Sequence, residues 1–177
     1  CLVNDLILDK NGKKMSKSSG NTVDPFALFD KYGADATRWY LLHVSPAWSP
    51  TKFDEDGLVE IVSKFFGTIR NVYNFFVLYS NQDGINPAEL QVKERPELDL
   101  WILSKYNNLV REVTEEMDRY DHMKSVRKIQ EFVTEDLSNW YIRRARRRFW
   151  AEELTEDKKS VYLTTYEVLV GVARLMA

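Results

Sequence analysis

Asp54-Glu55-Asp56-Gly57-Leu58-Val59-Glu60-Ile61-Val62-Ser63-Lys64-Phe65-Phe66 is the stretch whose reading decides the fold. An aspartate able to cap, followed by an acidic first turn, suits the positive end of a helix. Behind it Leu58, Ile61, Val62, Phe65, Ile69, Val72 and Phe76 recur at the spacing of one helical face. The pattern predicts a long core-facing helix. Asn81 to Pro87 breaks it, and Pro96-Glu97 opens a second segment with Ile102, Tyr106, Leu109, Val113 and Met117 in register. A third runs from about Met123 to Trp150, and a fourth from about Glu156 to the end with Tyr162, Tyr166, Leu169, Val172 and Met176 in register. Four long amphipathic helices with short connections predict a mainly α fold, an antiparallel helix bundle.

Upstream of the bundle the pattern is finer. Leu2-Val3 and Leu6-Ile7-Leu8 form a strand-like stretch, and Asp9-Lys10-Asn11-Gly12-Lys13 carries an Asn-Gly pair that predicts a type I′ hairpin turn. Asp24 then caps a helix with Pro25 in its first turn and Gly33 at its end. A second short helix, Ala34 to Leu42, stops at Ser45-Pro46, with Arg38 expected to tie the two short helices together. A linker rich in Pro, Trp and Ser reaches Pro50, so the expected division is residues 1–50 and 51–177.

The 177 residues are 44% hydrophobic and 13% aromatic, enough to bury a real core. No apolar run approaches the roughly 18 residues of a membrane span and no secretory leader is evident, which predicts a cytoplasmic protein away from membranes. One cysteine, Cys1, and two histidines, His43 and His122, offer no metal-ligand cluster. A net charge of −2 excludes a generally basic nucleic-acid coat, so local charge must carry any such binding. The chain starts without methionine and stops at Leu175-Met176-Ala177 inside a helical pattern, which predicts a piece of a longer protein.

Two clusters carry chemistry. In Lys13-Lys14-Met15-Ser16-Lys17-Ser18-Ser19-Gly20-Asn21, lysines three apart with hydroxyls between and a glycine after can surround a polyphosphate with ammonium groups and backbone N–H donors. An ordinary solvated Lys/Ser loop is the alternative. In Trp140-Tyr141-Ile142-Arg143-Arg144-Ala145-Arg146-Arg147-Arg148-Phe149-Trp150, five arginines fall within six positions. Arg143, Arg144 and Arg147 share one side of the helix, with Arg146 and Arg148 flanking it. Forked guanidinium donors suit a nucleic-acid backbone. The same arginines could instead pair with Glu112, Glu115, Glu116, Glu131 or Glu152, and Trp140, Tyr141 and Phe149 are expected to face the core.

Lys14-Met15-Ser16-Lys17-Ser18 matches the second signature loop of the class I aminoacyl-tRNA synthetases letter for letter. The whole chain, with Gly33-Ala34-Asp35-Ala36-Thr37-Arg38-Trp39-Tyr40 and the bundle downstream, resembles the C-terminal part of the isoleucine, valine and leucine group. The aromatic-arginine helix most resembles that of isoleucyl-tRNA synthetases. The resemblance implies that Lys14 and Lys17 are catalytic and face the ATP phosphates, that Ser16 and Ser18 complete the ATP-binding loop, and that Arg143, Arg144 and Arg147 bind tRNA. It implies ATP with Mg2+, isoleucine and isoleucine tRNA as partners of a full-length enzyme, with residues 1–50 the end of its catalytic domain and stem-contact region and 51–177 its anticodon-binding bundle. The family's His-Ile-Gly-His signature, amino-acid pocket and editing domain have no counterpart here, so the isolated chain is expected to bind no cofactor and to be inactive. The alternatives are a valyl or leucyl counterpart, a non-enzymatic helical interaction module, or a separate nucleotide-binding protein, though the last lacks Gly-x-x-x-x-Gly-Lys-Ser/Thr.

Overall fold

A computed structural model describes residues 5–177, so Cys1 and the Leu2-Val3 part of the strand-like stretch lie outside the described residues. The chain forms β1 (Ile7–Leu8), α1 (Pro25–Tyr32), α2 (Ala34–Val44) and β2 (Thr51–Lys52), followed by α3 (Glu55–Glu60) and α4 (Gly67–Gln82). Then come α5 (Glu97–Asp118), α6 (His122–Glu131), α7 (Arg143–Phe149) and α8 (Glu156–Met176). Ile61–Phe66 joins α3 to α4 and Phe132–Ile142 joins α6 to α7, both wound as π-helix, so the first and third long segments each hold together as the sequence spacing predicts. It divides into two compact units: the described residues up to Gly67 with Thr114–Arg127, and Thr68–Val113 with Lys128–Ala177.

In the first unit Asp24 accepts a hydrogen bond from the Phe26 amide with Pro25 at the helix start, and Gly33 at φ 88° ends α1. Arg38 does not bridge the short helices. It meets Asp35 of its own helix at 3.9 Å, both side chains in solvent, because the two lie one turn apart. Trp39 stacks on Phe65 with ring centres 4.6 Å apart, and Tyr40 sits edge-on to Phe53. The Tyr40 ring leaves no room at Gly57, where a Cβ would come within 2.8 Å of it. Arg127 donates from Nε and Nη2 to the carbonyls of His43 and Val44, satisfying the open end of α2.

The second unit is an up-down-up-down bundle. Contacts from Lys105 to Asp136 and from Glu112 to Lys128 show α5 antiparallel to the third helix, and those from Phe76 to Tyr162 and Asp83 to Lys158 show α4 antiparallel to α8. Val133, Leu137, Tyr141, Ala145 and Phe149 are all buried. Their spacing of four would drift about 40° per step on an ideal α-helix, and the slower π winding cancels that drift. At the centre the fully buried Asp99 accepts from Tyr141 Oη at 2.9 Å, Ser160 Oγ at 2.5 Å and both Nη atoms of Arg148 at 2.6 and 2.8 Å. Removing one partner of such a pair strands the other charge, at a cost of about 3–5 kcal/mol. Burial first, then the Asp99 charge, pushes the Tyr141 hydroxyl well above its ordinary pKa, so it stays a donor. Where α8 passes α5, a Cβ on Gly171 would fall 2.2 Å from Tyr106 Oη, so glycine sets that approach.

Candidate functional site

The lysine loop hangs from a hairpin. The Asp9 amide donates to the Lys13 carbonyl and the Gly12 amide to the Asp9 carbonyl, with Gly12 at φ 78°. Asn11 keeps a negative φ, since among the described residues only Tyr120 and glycines are positive. The turn is therefore a three-residue loop with a glycine bulge rather than the predicted type I′ turn, which needs two positive φ angles. Leu8 pairs antiparallel with Lys14 across it. β1 pairs in parallel with β2, a strand that the sequence hides at the end of its linker.

Beyond Lys14 two overlapping turns fold the loop, the Ser19 amide donating to the Ser16 carbonyl and the Gly20 amide to the Lys17 carbonyl. Gly20 takes φ 63°, a conformation costly to residues with a Cβ. Ser16 Oγ accepts from the Ser19 amide, donates to Ser19 Oγ at 2.7 Å, and lies 3.2 Å from Ser18 Oγ. Lys14, Lys17 and Ser18 are exposed, Ser16 half-buried, and among the described residues neither lysine makes an ion pair. Two unneutralised ammonium groups on one tight loop form a local positive field on a chain that is acidic overall.

Asp9 and Asn21 hold this loop, a role the sequence does not announce. Asp9 Oδ1 accepts from the Asn11 and Lys13 amides at 3.0 and 2.8 Å, and Oδ2 accepts from Asn21 Nδ2 at 2.9 Å. Asn21 Oδ1 accepts from the Ser16 amide at 2.9 Å, and its Nδ2 also donates to the Lys14 carbonyl at 3.3 Å. The bond from Asn21, followed by that from the Lys13 amide, holds the Asp9 carboxyl below its ordinary range. An Asp at a hairpin start and an Asn after a glycine were the available signals, but nothing in a linear pattern joins residues twelve apart.

The arginine helix sorts its five guanidinium groups. Arg148 turns inward to Asp99 and also donates from Nε to Asp157 at 2.9 Å, so the carboxylates that meet this cluster are aspartates rather than the glutamates the sequence suggested. Although burial works against it, these bonds hold the Arg148 pKa above its ordinary value. Arg143, Arg144, Arg146 and Arg147 are exposed, and among the described residues none makes an ion pair. Tyr141 and Phe149 are buried as expected, but Trp140 is not: it is 47% exposed. With Leu137 and Tyr141 pointing inward, the residue before Tyr141 is turned by one helical step, close to a quarter turn, away from the core. Its ring lies beside Trp101, and the Arg144 guanidinium stacks over it at 3.7 Å. The result is an exposed surface of three arginines in solvent and one arginine held over an indole.

The family model described as tRNA synthetases class I (I, L, M and V) matches residues 1–54, and that described as the anticodon-binding domain of tRNA ligase matches residues 99–177. Relatives include isoleucine–tRNA ligase of Porphyromonas gingivalis, 51% identical over 98% of this chain and 16% of the relative. That of Clostridium novyi is 48% identical over 100% of this chain and 17% of the relative. The chain thus spans about a sixth of the curated relatives it matches. Among solved structures, Mycobacterium tuberculosis methionyl-tRNA synthetase in complex with methionyl-adenylate superimposes with a TM-score of 0.76 at 24% identity, over 96% of this chain and 34% of that one. The ternary LeuRS-tRNA-LeuAMS complex of Agrobacterium radiobacter K84 gives 0.70 at 20% identity, over 98% and 20%. At those identities the likeness establishes the fold, which is the mainly α bundle behind short strands and small helices that the sequence predicts.

Proposed function

The chain belongs to the class I aminoacyl-tRNA synthetases of the isoleucine, leucine, methionine and valine group, and from that premise we propose that it is a segment of an isoleucine–tRNA ligase. In this reading residues 1–50 are the end of the catalytic domain and the stem-contact region, and 51–177 the anticodon-binding bundle. The full-length enzyme, working in the cytoplasm, activates isoleucine with ATP and charges isoleucine tRNA. Among the described residues no helix is long and apolar enough to cross a membrane.

The observation that supports the reading is the pair of exposed lysines on a braced loop, neither spent on a carboxylate. During activation an isoleucine carboxylate oxygen attacks the α-phosphorus, the bond to the bridging oxygen breaks, and pyrophosphate leaves with the electron pair. Charge therefore grows on the leaving group, where Lys14 and Lys17 meet it. An ammonium about 4 Å from a phosphate charge interacts by about 4 kcal/mol at an effective dielectric near 20, before desolvation. Only the part that strengthens toward the transition state speeds the reaction. Ser16 and Ser18 shape the loop that presents these charges to ATP. Mg2+ is expected together with ATP in the full-length enzyme. Arg143, Arg144 and Arg147 offer donors to the tRNA backbone, Arg144 from its place on Trp140.

Lys17→Ala in the full-length protein tests this. Single-turnover adenylate formation should slow sharply while isoleucine affinity holds, because the lysine meets charge that develops late. An unchanged rate would make Lys17 an ordinary surface lysine and overturn the reading. The 177-residue chain alone should give no ATP–pyrophosphate exchange.

A further inference from the structure

The geometry points to Asp9 and Asn21 as positioning residues: a carboxylate–carboxamide latch that fixes Lys14 and Lys17 in the geometry that meets a polyphosphate. The inference rests on the reading of this loop as the ATP-phosphate loop. Both oxygens of Asp9 and both polar atoms of Asn21 are used, and each contact has a different consequence. Asp9 Oδ1 gathers the amides on the near side of the loop, at Asn11 and Lys13. Asn21 takes the Lys14 carbonyl and the Ser16 amide, the backbone groups on either side of Met15. Asp9 Oδ2 and Asn21 Nδ2 then close the two halves on each other at 2.9 Å.

The two lysines are fixed differently. The Lys14 backbone is gripped by its own carbonyl and by the bridge to Leu8. Lys17 begins one residue after the gripped Ser16 amide and opens the turn that closes at Gly20, immediately before Asn21. Asn21 thus fixes both ends of the turn that carries Lys17. Without it, the remaining ties across that turn are its own two backbone bonds and the serine hydroxyls. Preorganised charge needs no reorganisation at the moment of reaction, whereas a loop that must first find its shape loses that advantage. The latch lies outside the buried core, with Asp9 and Asn21 half-buried at the loop's base, so opening it leaves the packing of the unit in place.

The test uses the full-length protein carrying this segment, with ATP–pyrophosphate exchange, isoleucine KM, a thermal melt and hydrogen exchange of the Ser16 amide measured on each variant. Asn21→Ala should lower kcat roughly ten- to hundredfold, the scale expected when reacting groups are misplaced by about 1 Å. The isoleucine KM and the melt should stay put, and the Ser16 amide should exchange faster. Asn21→Asp sets two carboxylates face to face and should be at least as slow. Adding Asp9→Asn to Asn21→Asp returns a donor to the pair, with the donor now on residue 9, and should recover much of the lost rate. A kcat for Asn21→Ala equal to that of the unaltered protein, alongside a slow Lys17→Ala, would overturn the latch and leave the loop reading standing. A double variant no faster than Asn21→Asp would also overturn it. A Lys17→Ala protein with unchanged rate would instead remove the loop reading, and the latch with it.

Discussion

At Tyr120 a bulky residue holds φ at 61°, where a Cβ crowds the following carbonyl at a cost of about 1–2 kcal/mol. The reason is the end of α5. The Tyr120 amide donates to the Met117 carbonyl and the Asp121 amide to that of Glu116, the pair of bonds that closes a helix through a left-handed residue. α4 ends in the same way, with Gly84 at φ 64° and bonds from Gly84 to Asn81 and from Ile85 to Ser80. Gly84 was legible because Asn81 to Pro87 is dense in turn formers, whereas a tyrosine gives no local sign of the left-handed region. The Asp9–Asn21 latch escaped for a related reason: each residue reads as an ordinary turn former, and only folding brings them together. The Tyr120 ring is largely exposed and does little to offset the strain. Tyr120→Gly should therefore stabilise the chain by about 0.5–1 kcal/mol, after allowing for the greater freedom of glycine when unfolded. Urea unfolding at constant m-value checks it. A midpoint unchanged or lowered would show that the backbone is not strained there.

At the scale of an element, the helix that runs from His122 through the π-helical segment to Phe149 was legible in existence and nearly in its bounds. Its inward face was less so. Periodicity assumes an α winding, and the shift to π winding over Phe132–Ile142 keeps a four-residue stripe inside while Trp140 stays in solvent. The arginines divide for a reason that only tertiary structure supplies, since Asp99 of α5 stands opposite Arg148 and, among the described residues, the other four make no ion pair. The same tertiary logic left Met117 exposed although it keeps register with the buried Val113. Two faces with different tasks should respond differently. Arg144→Gln with Arg147→Gln should move the stability of the chain by less than about 1 kcal/mol, because both side chains are exposed and neither is ion-paired. The same double variant should weaken binding of isoleucine tRNA and flatten its salt dependence by about one logarithmic unit for each lost phosphate contact. Melts paired with salt-titrated binding distinguish the roles. An early melt with an unchanged salt slope would make these arginines structural and send the search for a tRNA surface elsewhere.

For the molecule as a whole, acid should act in two separate windows, because the groups that bind fewer protons when folded fall into two sets. The first is His43, half-buried near the end of α2. Burial, then the Arg127 charge, lowers its pKa from 6.5, with Glu60 acting weakly the other way. A base whose folded pKa is depressed keeps its full contribution above the unfolded value and loses stability as pH falls from about 6.5 toward the folded one. The second set is carboxylates. In the first unit the Lys124 bond lowers Asp121 below 3.8. In the second, the Lys128 bond lowers Glu112 below 4.5, and Asp83 lies below 3.8 because, against its burial, Lys158 and Tyr162 donate to it. Acids with depressed folded values give stability that is complete above their unfolded pKa and is lost as pH falls through the folded one. Melting temperature should thus decline as pH falls below about 6.5, and fall more steeply below pH 4 as the depressed carboxylates take up protons. His43→Gln, which keeps a polar side chain but cannot titrate, should remove the upper decline and leave the acid collapse unchanged. If the unaltered chain and His43→Gln lost the same stability between pH 7 and 5.5, the upper window would belong to another group, and burial of the His43 ring would not be what makes the fold sensitive there.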